Sequence, residues 1–292
     1  MNADLELYDL QPEPREEWQR MLRFVGWDEA ARQAAAATVD VLFPRGHELV
    51  VATYEYLRVT PETAAILGWE HGVDEAHLAE RRRFFTLWLA RTLGLDTSAE
   101  FADYLFRAGQ VHAGHGPRRI HTPPQYVTGS IGLVQAAFAR YMAEAGLPAP
   151  VLANGLAAWS KYLSVQLNQM LFGYRAAQEA EQGAVRVPVE VFGRLRPLVG
   201  RATLHLHVDE GQTVRQLLRK FFNYYPQTRI EALDRRWQAE EKRDSLWLEP
   251  KPVYTPRYGW RVLRNGRDVE YEGGFSAPLH PGDKVAIFPP GR

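Results

Sequence analysis

The sequence predicts a multidomain chain, an all-α domain followed by an α+β domain, and three observations carry that prediction. Apolar residues recur at i, i+3, i+4 and i+7 through residues 16–180, the period of one buried helix face. After Gln182-Gly183 the period drops to two, the signature of half-buried strands. At 292 residues the chain is long enough for two cores.

Helices are expected over 16–24, 28–43, 46–58, 74–93, 98–112, 124–145 and 150–180. Pro44, Thr60-Pro61, Gly72, Gly94 and Gly146 with Pro148 and Pro150 punctuate them, and Asp28, Asp74 and Ser98 stand where N-caps are needed. In the second part Val185, Val187, Val189 and Val191 alternate with Arg186, Pro188 and Glu190. Thr203, His205 and His207 then alternate with Leu204, Leu206 and Val208, giving two strands joined through Gly193–Gly200. A capped helix over Thr213–Tyr225 follows. Arg261–Leu263 and Asp268–Tyr271 flank Asn265-Gly266, a strong hairpin signal, and Lys284–Phe288 forms a last strand before Pro289-Pro290. Domain boundaries are therefore expected at 1–182 and 183–292. Residues 227–257, which hold Trp237 and Trp247, read as an insertion of unassigned conformation.

Composition narrows the chemistry. The chain has no cysteine, which excludes disulfides, thiolate metal sites, iron–sulfur clusters and a cysteine nucleophile. Any metal must be held by His, Asp, Glu or Tyr. Net charge is zero, with 16 basic against 21 acidic side chains in residues 1–180 and 19 against 14 in 181–292. Neither part is strongly basic and no basic run is interleaved with aromatics, so no nucleic-acid partner is expected. With no apolar run of membrane-spanning length and with Asp4, Glu6 and Asp9 near the start, neither a membrane span nor a signal peptide is expected, and the protein is read as cytoplasmic.

One histidine segment stands out, Val111-His112-Ala113-Gly114-His115-Gly116-Pro117, followed by Arg118-Arg119-Ile120-His121-Thr122-Pro123-Pro124. His112 extends the stripe Phe101, Leu105, Ala108, which turns its imidazole inward at the last turn of a helix. A neutral imidazole facing an apolar cavity is what a heme iron needs from its proximal ligand. A hydrogen-bonded core histidine is the alternative.

The stretch Gly109–Gly116 followed by Pro123-Pro124-Gln125-Tyr126-Val127-Thr128-Gly129 resembles the proximal-histidine signature of the protoglobin and globin-coupled-sensor family. Val50-Val51-Ala52-Thr53-Tyr54-Glu55-Tyr56-Leu57 with Pro61-Glu62-Thr63 resembles that family's second-helix motif. The resemblance covers about residues 15–175 and implies a globin-like fold, a heme b cofactor and a diatomic gas ligand such as oxygen. It implies His112 as the iron ligand and Tyr54 as a distal hydrogen-bond donor to bound gas. Phe85 and Trp88 would wall the distal pocket, and Tyr126 would sit beside the proximal side. Each of these aromatics also suits a plain core. Six residues, Pro117–Thr122, look inserted between the two halves of the signature, which keeps His115 and His121 open as alternative ligands. Thr53 stands where the family usually has phenylalanine. Arg118, with Arg119, is a candidate partner for heme propionates, and Arg81 to Arg83 compete with it. Family members often form homodimers; Trp159, Tyr162, Leu163 and Leu167 suit such a face and suit a buried core equally well.

The second part resembles the small subunit of molybdopterin synthase and the thiamine sulfur-carrier protein, which are ubiquitin-like β-grasp domains. The matching segments are Val189–Arg196, Gly211–Leu218, Val262–Val269 and Leu279–Pro290. Carrier chemistry requires a C-terminal Gly-Gly, whereas this sequence reads Pro289-Pro290-Gly291-Arg292. The resemblances together imply a gas-binding sensor or regulator joined to a sulfur-carrier-like module that contacts a protein partner. The alternative is a sulfur carrier or adaptor in molybdopterin- or thiamine-type biosynthesis with a regulatory globin. Catalytic turnover at the heme is the weakest expectation, because no distal acid–base pair is legible.

Overall fold

A computed structural model describes residues 5–241 and 248–290, and the chain divides into two compact units. One is Pro14–Arg175; the other joins Met1–Glu13 to Ala176–Arg292. Trp247, Gly291 and Arg292 lie outside the described residues.

The first unit is helical: α1 (Pro14–Phe24), α2 (Glu29–Leu42), α3 (Gly46–Val59), α4 (Pro61–Leu67), α5 (Glu75–Leu93), α6 (Ala99–His112), α7 (Pro124–Glu144) and most of α8 (Ala149–Glu181). The three expected caps are in place. Asp28 accepts from the Ala31 N–H at 2.9 Å, Asp74 from His77 at 3.0 Å and Ser98 from Phe101 at 3.2 Å. The seven-residue α4 was not anticipated. It starts at Pro61, whose fixed φ suits the first helical position, and stops at Gly68 in the left-handed region at φ +72°.

Large aromatics fill this core, and their buried polar tips find partners. The Trp18 indole donates to the Thr97 carbonyl at 3.1 Å, Trp159 to Thr38 Oγ1 at 2.8 Å, and the Tyr162 hydroxyl to the Asp96 carbonyl at 2.6 Å. Trp159, Tyr162 and Leu163 are buried within the unit, and Leu167 packs half-buried against the same core. Of the two readings open for these residues, the buried core is the one observed for Trp159, Tyr162 and Leu163, while Leu167 keeps part of its surface exposed.

Two glycines bring α6 and α8 into backbone contact. A Cβ at Gly109 would sit 1.8 Å from the Met170 carbonyl oxygen, and one at Gly173 would sit 1.9 Å from that of Phe106. The crossing fixes the last turn of α6, where His112 lies.

The second unit is α+β. Its five-stranded sheet has the order β2-β1-β7-β5-β6, formed by β1 (Val185–Val191), β2 (Thr203–Val208), β5 (Arg261–Arg264), β6 (Arg267–Asp268) and β7 (Val285–Phe288). β1 pairs antiparallel with β2 and parallel with β7, with Val189 opposite Val285. The alternating valines of β1 are all buried, as the two-residue period requires. A short helix, α9 (Leu195–Val199), occupies the connection between β1 and β2. Helix α10 (Val214–Tyr224) begins with a capping box in which the Thr213 N–H donates to the Gln216 side chain at 2.9 Å. It buries Val214, Leu217, Leu218, Phe221 and Phe222.

Asn265 and Gly266 both take positive φ, 51° and 84°, as the tight hairpin between β5 and β6 demands. The strand expected over Asp268–Tyr271 is shorter. Asp268 accepts from the Glu270 N–H at 3.1 Å, which turns Val269–Tyr271 into a 3-10 helix. The insertion carries a one-turn helix, α11 (Arg229–Ala232), and a two-stranded ribbon of β3 (Leu233–Glu241) and β4 (Leu248–Pro256). Trp237 lies exposed on that ribbon. Among the described residues no helix is long and apolar enough to cross a membrane.

Candidate metal centre

The helical unit encloses a cavity of about 380 Å³ with mostly apolar walls. That is within the usual range for small-molecule and cofactor sites, roughly 300–1,000 Å³. Helix α3 contributes Thr53 and Tyr54, α5 contributes Arg81, Phe85 and Trp88, α6 ends on it with Val111 and His112, and α7 begins on it with Tyr126 and Val127. The loop Gly116–Ile120 closes one side. It folds back because the Thr122 N–H donates to the His112 carbonyl at 2.8 Å and Arg119 takes the left-handed conformation at φ 51°.

His112 is the distinctive residue. Neither of its ring nitrogens has a hydrogen-bond partner among the described residues. Nδ1 is sealed in protein, which leaves Nε2 as the nitrogen with accessible surface in a residue that lines the cavity. An unsatisfied buried polar atom costs about 1–3 kcal/mol, so a purely structural histidine would be expected to find a partner. Burial, and then the charge of Arg81, push its pKa down to about 4, so the imidazole is a neutral base at physiological pH.

Of the three histidines open as ligands, only His112 lines the cavity. His121 is exposed and its Nε2 lies 2.7 Å from the Tyr174 hydroxyl; the Arg107 guanidinium donates to the His115 carbonyl at 3.4 Å. No group of three or more His, Asp or Glu side chains is arranged for a metal among the described residues. One histidine does not hold a bare ion; it suits a metal that arrives with its other ligands already attached.

The aromatic residues expected around the site are brought together. Phe85 and Trp88 stack at 5.4 Å, Tyr54 meets Phe85 edge-on at 6.1 Å, and the Trp88 indole donates to Gln166 Oε1 at 2.7 Å. The Tyr54 hydroxyl, however, donates to the Arg81 carbonyl at 3.1 Å, and burial pushes its pKa up to about 12. Its one proton is thus engaged with the backbone. Arg118 lines the cavity 42% exposed and is paired with Glu80 at 2.9 Å and Asp74 at 3.3 Å. A propionate there would share a cation that already has two partners.

The sequence offered Arg81 only as one of three arginines competing with Arg118 for heme propionates, and it did not point to His77. Arg81 belongs to the run Arg81-Arg82-Arg83, which reads as a wet helix face. The usable signal was its spacing, four residues before Phe85 and seven before Trp88, which places all three on one stripe.

The family model described as Protoglobin matches residues 15–180, and that of the ThiS family matches residues 189–291. Small archaeal modifier protein 3 of Haloferax volcanii is 27% identical over 106 residues, 36% of this chain and 96% of that protein. Among solved structures, the globin domain of a Geobacter sulfurreducens globin-coupled sensor aligns over 54% of this chain and 97% of its own. Its identity is 17% and its TM-score 0.45. Small archaeal modifier protein 1 from Methanosarcina acetivorans aligns over 36% of this chain and 93% of its own, with 23% identity and a TM-score of 0.27.

Proposed function

Because the chain belongs to the Protoglobin family, we propose that its helical unit holds heme b through Nε2 of His112, binds a diatomic gas there, and serves as a sensor or regulator acting through the strand unit. The observation that carries this reading is the pair of unpartnered ring nitrogens on His112 in the wall of an apolar cavity. Heme would supply an iron that can bind the gas, and His112 would hold it.

The chain's own residues supply the rest. His112 stays neutral and therefore free to donate a lone pair at any physiological pH. The Gly109 and Gly173 crossing holds its helix in register against α8. Phe85 and Trp88, locked by Gln166, exclude water from the opposite wall, and Tyr126 borders the cavity where α7 begins. Regulation requires two states with different gas affinity, and the strand unit would carry the difference to a protein partner.

The ThiS match is compatible with that contact role and with sulfur carriage, which is the second reading.

Hemin titration of the full chain tests the proposal. We expect a sharp Soret band at one equivalent, and its loss or displacement in His112→Ala with unchanged far-ultraviolet dichroism. A band indifferent to the substitution would overturn the assignment. Intact mass of the same preparation, after incubation with an adenylating activator, ATP and a sulfur source, separates contact from carriage: an oxygen-to-sulfur gain would support carriage.

A further inference from the structure

The cavity wall holds a cation that forms no ion pair among the described residues. Arg81 donates through Nε to His77 Nε2 at 3.0 Å, and its two Nη nitrogens have neither hydrogen bond nor ion pair among the described residues. The carboxylates nearby are all engaged elsewhere. Glu80 and Asp74 pair with Arg118, and Glu55 pairs with Arg58 at 2.5 Å and Arg82 at 3.3 Å. Arg81 is held in this position by its own backbone, since its carbonyl is the acceptor for Tyr54. A guanidinium is not deprotonated in proteins, so a charged fork lines a mostly apolar cavity with its two Nη nitrogens unpartnered among the described residues.

We infer that Arg81 makes the cavity a binding site for small inorganic anions of the azide, nitrite and fluoride class. Planar N–H donors and a fixed charge recognise such ligands by charge-assisted hydrogen bonds, and the apolar surroundings strengthen them. The charge of Arg81 is also felt at His112, whose proton affinity it lowers. The group that selects among ligands is therefore Arg81, while the Tyr54 proton is tied to the main chain. A neutral diatomic gas draws little from a guanidinium, whereas an anion draws much, so Arg81 sets which of the two the chamber prefers.

This inference rests on the heme reading for its most direct test. The ferric, hemin-loaded chain is titrated with azide and the ferrous chain with carbon monoxide, each followed at the Soret band. Arg81→Leu is expected to weaken azide binding about tenfold or more and to leave carbon monoxide within about twofold. Arg81→Lys, which keeps the charge, should recover part of the azide affinity. Unchanged azide affinity in Arg81→Leu overturns the inference, and so does a loss confined to hemin affinity, which would make Arg81 a partner of the cofactor's carboxylates. Should no Soret band form at all, the heme reading fails separately. Chloride-35 line broadening of the cofactor-free chain then decides: broadening present in the parent and absent in Arg81→Leu supports the anion site, and equal line widths overturn it.

Discussion

His77 is buried against Trp69, with 5.3 Å between ring centroids, and its Nε2 accepts the hydrogen bond from Arg81. An imidazole that accepts there cannot carry a proton on that nitrogen. Burial first, then the charges of Arg81 and Arg118, hold its pKa below the ordinary histidine value of 6.5. The unfolded chain therefore binds a proton in a window where the folded chain does not. Stability from this residue is complete above pH 6.5 and is lost as pH falls from there toward the folded value. We expect the urea midpoint of the parent to fall between pH 7.5 and pH 5, and to fall less in His77→Gln, whose side-chain oxygen can still accept from Arg81. Equal slopes in the two proteins would show that His77 does not contribute. At this scale the sequence disclosed His112, because an apolar stripe ended on it, and it disclosed the aromatic pair Phe85 and Trp88. It offered Arg81 only as a competing propionate partner and hid His77, because a charged or polar residue near a helix start reads as solvated until the fold shows what lies opposite.

The crossing of α6 and α8 leaves no room for a side chain at Gly109 or Gly173. Ala at 109 would collide with backbone, which cannot yield as a flexible side chain can. We expect Gly109→Ala to destabilise by about 1–3 kcal/mol or more, with a displaced Soret band on hemin binding. Gly129, on α7, serves as the control, because an added Cβ there would meet nothing within 4 Å. Its change to Ala should be neutral or stabilise by up to about 1 kcal/mol. Comparable losses in the two variants would remove the crossing as an explanation. The long helices were legible because their caps and periods agree, and β1 and β2 because valines and leucines alternate there. The ribbon β3–β4 was not: β3 buries Leu233 and exposes most of its other residues, so it has no one-sided apolar pattern to read. Seven-residue α4 was too short to show a period.

Over the whole molecule, the division of the chain runs against its order. Leu7 exchanges both backbone hydrogen bonds with Tyr254 of β4, at 2.8 Å each. The Gln11 N–H donates to Asn223 Oδ1 at 3.0 Å, while its carbonyl accepts from the buried Arg229 guanidinium at 2.6 Å. Deleting residues 1–12 should leave that guanidinium short of an acceptor, a loss of about 1–3 kcal/mol. Amide hydrogen exchange is expected to accelerate at Val253 and Tyr254 while the hemin spectrum stays as in the parent. Unaltered exchange on β4 would show that the pairing with Leu7 does not protect it. The same arrangement has a consequence for the ribosome. Residues 14–175 are contiguous and can collapse as soon as they emerge. The opening segment must wait undocked until its partner strand, some 240 positions later, has been translated. Newly made chains would thus complete the helical unit before the strand unit can close on its first segment.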